Sequence, residues 1–232
     1  MLGVWVGLAV AAAAQRPAES APFSPEDLGV LESPDRDQWQ QPEQIMDALG
    51  IAEGSKVADL GAGGGWFTVR LAHRVGPNGL VYAEDIQSQM IDAIMRRVRD
   101  HGLTNVCPII GAPDNPHLPT GRVRDQSPSN CSIRGTRDKP RPSAGMDAIL
   151  IVDTYPQFRD PVTLLRHVAA ALAPNGRLGI VDFRKDGAGG PGPPLNERID
   201  PEKVREKAEE AGLKFLREET FLRYQFLLIF GK

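Results

Sequence analysis

A chain of 232 residues, 41% hydrophobic and 25% charged, can build one sizeable core and has the composition of an ordinary globular protein. Its net charge of −3 lacks the basic surplus of a phosphate-backbone binder, so no nucleic-acid partner is expected. The 2 cysteines, Cys107 and Cys131, match no metal-ligand spacing; no metal site is expected, and they are read as two unrelated thiols rather than a disulfide pair.

The chain opens with an apolar run, Leu2 to Ala14. That is too short to span a bilayer, which needs about 20 apolar residues. It has the length of a signal-peptide core, with small residues before Gln15, but the first basic residue is Arg16. Residues 1–14 are therefore read as a signal-like or membrane-tether segment, so that the protein is exported or tethered. The alternative is an ordinary tail on a cytoplasmic protein. Residues 15–37 form a polar, proline-rich linker, and residues 38–232 form the domain.

Within the domain, Pro42 suits the first turn of a helix that puts Ile45, Met46 and Leu49 on one face. Lys56 to Leu60 reads as a short apolar strand, followed by glycines and by a helix with Phe67, Leu71 and Val75 on one side. Leu80 to Ile86 is a second strand. A helix follows, with Met90, Ile91, Ile94, Met95 and Val98 facing inward, and Val106 to Gly111 is a third strand. Gly121 to Gly145 has almost no large apolar residues and is read as a disordered or loosely held insertion. Met146 to Tyr155 is a fourth strand. Asp160-Pro161 caps the next helix, and Pro174-Asn175-Gly176 closes it before a fifth strand, Arg177 to Phe183. Asp200-Pro201 repeats the capping device, and two closing strands end the chain. Alternating strands and helices predict an α/β fold. The expected sheet is doubly wound, Rossmann-like, seven-stranded and mostly parallel, with helices on both faces and an antiparallel last strand.

The most informative stretch is VADLGAGGGWFTVRLA, Val57 to Ala72. Glycines at a strand-to-helix turn permit positive φ and let a ligand approach the backbone. The dinucleotide fingerprint G-x-G-x-x-G fails here: counted from Gly61, its third glycine falls on Trp66. The pattern present is acid-x-G-x-G-x-G, formed by Asp59, Gly61, Gly63 and Gly65.

These residues resemble the first motif of class I S-adenosylmethionine-dependent methyltransferases. The resemblance runs from about Gln38 to the end, broken by the insertion. It implies S-adenosylmethionine as cofactor, with Asp59, Gly61, Ala62, Gly63 and Gly65 around its amino-acid end. It implies Asp85, with Glu84 as the fallback, on the ribose hydroxyls, and Ile86 beside them. Asp114 is the matching acid for the adenine amino group, with Ala112 and Pro113 beside the ring. On the fourth strand, Asp153 is a candidate base or cofactor-side acceptor, and Tyr155 a candidate substrate-positioning hydroxyl. Similar members carry a histidine after the Tyr, where this chain has Pro156.

Trp39 either walls off the site or packs beneath the first helix. The loop from Asp182 to Ile199 lies on the same rim and is expected to cover the substrate, while Arg184 and Arg198 are expected to be solvated. A small-molecule methyl acceptor is expected, because no recognition domain is appended. The alternatives are a NAD-dependent oxidoreductase and a non-catalytic S-adenosylmethionine-binding protein. No oligomeric state is read from the sequence.

Overall fold

A computed structural model describes residues 33–120, 145–186 and 190–232. The signal-like segment, most of the linker and residues 121–144 of the insertion lie outside the described residues. Among the described residues no helix is long and apolar enough to cross a membrane.

The strands are β1 (Lys56–Leu60), β2 (Leu80–Asp85), β3 (Val106–Ile110), β4 (Met146–Val152), β5 (Leu172–Phe183), β6 (Lys214–Glu219) and β7 (Gln225–Gly231). The helices are α1 (Arg36–Gln40), α2 (Pro42–Ala48), α3 (Trp66–Val75), α4 (Ser88–Asp100), α5 (Pro161–Ala171) and α6 (Pro201–Glu210). The strands form one seven-stranded sheet in the order β3-β2-β1-β4-β5-β7-β6. Pairings from β3 through β5 are parallel, and β7 runs antiparallel to both β5 and β6. The expected architecture is the one observed.

Each strand's alternating side chains feed a different face of the sheet. Ala58 and Leu60 of β1 join a core with α5 and α6, centred on Leu165, Val168, Val204 and Phe226. Val57 joins the opposite core, with Ile45 and Met46 of α2, Phe67 and Leu71 of α3, and Ile94 of α4. Both faces are therefore covered, which is why the central strands lack polar alternation. In α4, Met90 and Ile94 are buried as expected, but Met95 is 42% exposed. A five-residue stripe was too wide for a helix that meets the sheet along one edge.

Other details depart from the sequence reading. The helix opened by Pro42 is present as α2, and a further short helix, α1, precedes it. Pro174-Asn175-Gly176 lies inside β5, at a register shift against β4, instead of in a turn before it. Cys107 is fully buried on β3 and is disulfide-bonded, so it is not the unrelated thiol expected; Cys131 lies outside the described residues.

The chain winds outward from β1 through β2 to β3, then returns to place β4 on the other side of β1. That reversal opens a crevice beyond the carboxyl ends of β1 and β4, the place where open α/β sheets hold ligands.

Candidate active site

A cavity of about 240 Å³ occupies the crevice. Its walls include Asp59 near the end of β1 and Gly61 to Gly64 after it, Glu84 and Asp85 at the end of β2 with Ile86 and Gln87 after it, and Ala112 and Pro113 after β3. Val152, Asp153 and Thr154 close it from β4, while Gln157, Phe158, Arg159 and Leu164 extend it to one side.

The glycines answer different needs. Gly61, Gly63 and Gly65 all have positive φ, at 67°, 53° and 81°. A Cβ on Gly61 would lie 2.3 Å from Thr154 Cγ2, and the Thr154 hydroxyl donates to the Gly61 carbonyl at 3.2 Å. Bare backbone at Gly61 thus admits a neighbouring strand tip. Gly63 lines the cavity, and its N–H donates to Asp85 Oδ2 at 3.0 Å. Gly65 does not line the cavity: it caps α3, and a Cβ there would meet Ile94 Cγ1 of α4 at 3.2 Å. Its role is helix packing, which the regular spacing concealed. Gly64, not singled out in the sequence, does line the cavity.

Acids ring this end. Asp59 is 2% exposed, and Oδ2 accepts the Thr68 hydroxyl at 2.6 Å. Burial pushes its carboxyl up to about 6, against the pull of the Thr68 hydrogen bond and the Arg36 charge. Glu84 Oε2 accepts the Gly61 N–H at 3.3 Å, and burial, opposed by that bond, pushes Glu84 up to about 8. Asp85 takes N–H groups from Gly63 and, at 2.9 Å, from Gln87; burial nevertheless raises its pKa. Burial in a water-poor crevice disfavours the charged form in all three. Ile86, 44% exposed, together with Met90, Ala112 and Pro113 supplies the apolar wall beyond Asp85. Asp114 is exposed and outside that wall, because the Ala112–Asn115 bridge turns the loop before it reaches the cavity.

The β4 end is assembled differently. Asp153, in the left-handed region at φ 56°, carries its carboxylate into a polar cluster. Oδ2 accepts Arg36 Nη2 at 3.3 Å and Gln40 Nε2 at 3.2 Å, while Oδ1 accepts Gln225 Nε2. Gln40 Nε2 also donates to Gln225 Oε1 at 3.2 Å. Burial pushes Asp153 up to about 6, opposed by Arg36, Gln40 and Gln225. Both its oxygens already accept hydrogen bonds, so it is built as an orienting carboxylate rather than an open base.

Tyr155 is not brought to the cavity. It is 3% exposed, packs on Phe158 at 5.6 Å in the core beneath α5, and its hydroxyl meets no partner among the described residues. Burial raises its pKa further. The short 3₁₀ turn at Tyr155–Gln157 presents Gln157 and Phe158 to the cavity instead.

The rim loop also departs from expectation. Arg198 is 6% exposed and donates to the carbonyls of Pro193, Arg184 and Pro191, which makes it an internal latch. Arg184 is tied to Glu218 at 2.6 Å. None of the loop's described residues lines this cavity; Gly190 and Pro191 line a separate, more open hollow with Trp39. Trp39 stacks on Phe183 at 5.8 Å, away from that cavity. The tryptophan that reaches it is Trp66, held between the guanidinium of Arg36 at 4.1 Å and that of Arg70 at 3.5 Å.

A family model described as a methyltransferase domain matches residues 51–221, nearly the whole stretch that builds this crevice. The chain belongs to the methyltransferase-domain family. Among solved structures it is similar to a SAM-dependent methyltransferase from Aquifex aeolicus, at 25% identity and a TM-score of 0.75, covering 90% of this chain and 98% of that one. Among curated proteins it is similar to the ubiquinone/menaquinone biosynthesis C-methyltransferase UbiE of Proteus mirabilis. The identity is 26% over 140 residues, or 60% of this chain and 47% of that protein. A shorter match, 38% over 62 residues, links it to the tRNA (adenine(58)-N(1))-methyltransferase catalytic subunit TRM61 of Cryptococcus neoformans, covering 27% of this chain and 14% of that protein. The chain thus spans about half the length of the UbiE relatives it matches, and less of TRM61.

The crevice fits the cofactor of S-adenosylmethionine-dependent methyltransferases. That molecule combines an ammonium, a sulfonium, a ribose diol and a flat base. Asp59 suits the ammonium and Asp85 the diol, and the wall of Ile86, Met90, Ala112 and Pro113 suits the base.

Proposed function

We propose that this methyltransferase passes the methyl group of S-adenosylmethionine to a small-molecule acceptor. One observation carries the reading. The cavity that holds the acidic cradle continues past Thr154 into a side lined by Val152, Gln157, Phe158, Arg159 and Leu164. Three of these five side chains are apolar, which suits a flat or aliphatic acceptor rather than a nucleic-acid backbone. The overall charge of −3 points the same way.

When bound, the cofactor supplies an already activated methyl group on sulfur. The chain's part is therefore alignment, which can contribute roughly 7–11 kcal/mol for well-oriented reactants. Asp59 and the backbone at Gly63 hold one end, Asp85 the middle, and the apolar wall beyond Ile86 the far end. Thr154, braced by the carbonyls of Gly61 and Val152 at 3.2 and 2.9 Å, fixes the β4 tip beside the acceptor side. Val152, Phe158 and Leu164 exclude water from it. A base is needed only for an acceptor that still carries a proton in the transition state.

The test is methyl transfer from radiolabelled cofactor into two acceptor pools, a hydroquinone panel and total RNA. Label in the small-molecule fraction supports the reading. Label confined to RNA overturns the acceptor class while leaving the methyltransferase assignment intact. For residues 1–14 we propose a leader or tether, checked by cell fractionation and by sequencing the mature N-terminus.

A further inference from the structure

Arg36 precedes every residue of the glycine motif and lies before the matched family segment. It is nonetheless 7% exposed and lines the cavity. Burying a guanidinium is costly unless acceptors surround it. Here the surroundings are specific. Nε donates to Gln40 Oε1 at 2.5 Å, Nη2 donates to Asp153 Oδ2 at 3.3 Å, and the plane stacks on Trp66 at 4.1 Å. The helix carrying Arg36 is fastened to α3 by Asp37 and Arg70, at 2.6 Å. Its charge reaches across the crevice to Asp59, whose carboxyl it draws down.

Among the described residues, the cationic side chains lining the cavity are Arg36 and Arg159. Arg159 is exposed on the acceptor side, next to Phe158, whereas Arg36 stands near Asp59. A buried carboxylate and a buried guanidinium lining one cavity are the mirror of an amino-acid zwitterion. We propose that Arg36 receives the carboxylate of the cofactor's amino-acid end while Asp59 receives its ammonium. Asp153, Gln40 and Gln225 then form the bracket that orients the guanidinium, and α1 becomes part of the cofactor site. A planar fork of N–H donors is the group best suited to a carboxylate. This assignment rests on the cofactor reading and deepens it.

The experiment is titration calorimetry of the full chain with S-adenosylmethionine and with its decarboxylated analogue, which keeps ammonium, sulfonium and adenosine. The wild-type protein is expected to bind the carboxylated ligand at least about tenfold more tightly. Equal affinities overturn the proposal without any variant being made. Arg36→Gln is expected to raise Kd for S-adenosylmethionine about 10–100-fold and to move the analogue's Kd less than about threefold. Arg36→Lys is expected to fall between, since it keeps charge and loses the fork. A parallel loss for both ligands, or none, overturns the carboxylate role. A wild-type protein that binds neither ligand overturns the cofactor reading itself, and this proposal with it.

Discussion

The two ends of the crevice are built on opposite principles. At the β1–β2 end, Asp59, Gly61, Gly63, Glu84 and Asp85 come from two short stretches, each a strand tip and its turn. Their hydrogen bonds run mostly between backbone N–H groups and nearby carboxylates. At the β4 end, Arg36 and Gln40 of α1, Asp153 and Gln225 come from three remote places in the chain and touch through side chains alone. The first end is fixed by local geometry and tolerates no side chain. The second is fixed by the whole fold and depends on every member being present.

Substitutions should separate these two constructions. The largest effect is expected at Gly61→Ala, where the added methyl meets Thr154 and the residue keeps a positive φ. Overpacking with backbone strain should cost about 3 kcal/mol of stability. Thermal melts of Gly61→Ala with and without Thr154→Ala should show partial rescue in the double variant. If the pair is additive, the close approach of the two tips is not what makes glycine necessary.

Next comes the buried Glu84 carboxyl. Glu84 titrates in the folded protein at about 8, above its ordinary 4.5. A raised carboxyl stabilises the fold fully below its unfolded pKa, and this contribution disappears as pH rises through the folded one. The ligand-free protein should therefore lose stability between about pH 4.5 and 8. Glu84→Gln should remove about 3 kcal/mol of that loss. Denaturant titrations at pH 5, 6.5 and 8 check it, and an unchanged slope in the variant would remove Glu84 as the cause.

Asp85→Ala should weaken S-adenosylmethionine binding by roughly 1–3 kcal/mol, the scale for a lost charged partner. Calorimetry reads this directly, and unchanged affinity would move the ribose role to Glu84. The smallest effect is expected at Arg70→Ala, on the exposed side of the Trp66 sandwich. Loss of a cation–π contact and a part-exposed ion pair with Asp37 should cost about 0.5–1 kcal/mol in a melt.

The same contrast explains what could be read from the chain. The sheet, its helices and its single antiparallel strand follow from apolar runs punctuated by Gly and Pro, which are local signals. Asp59, Gly61, Ala62, Gly63, Glu84, Asp85 and Ile86 were legible for the same reason, and all line the cavity. Gly65 carried the same signal for a different purpose, because close helix packing and close ligand approach both call for a missing side chain. Asp114 and Tyr155 were placed by position along the chain, but one tight bridge and one short 3₁₀ turn redirected them. Arg36 was invisible: a lone arginine in a polar stretch gives no hint that Trp66 and Asp153 await it. Gln225, at the start of an apolar strand, gave no warning either.

The crowding of acids whose protons are held by burial has a thermodynamic outcome. Asp59 at about 6, Glu84 at about 8 and the raised Asp85 leave the empty crevice partly protonated near neutrality. A ligand bearing a sulfonium and an ammonium must displace some of that hydrogen on arrival, so heats of binding should vary with the ionisation enthalpy of the buffer. After the methyl leaves, the sulfur is uncharged and the hydrogen can return. The product should therefore bind with a heat that depends less on the buffer than that of S-adenosylmethionine does.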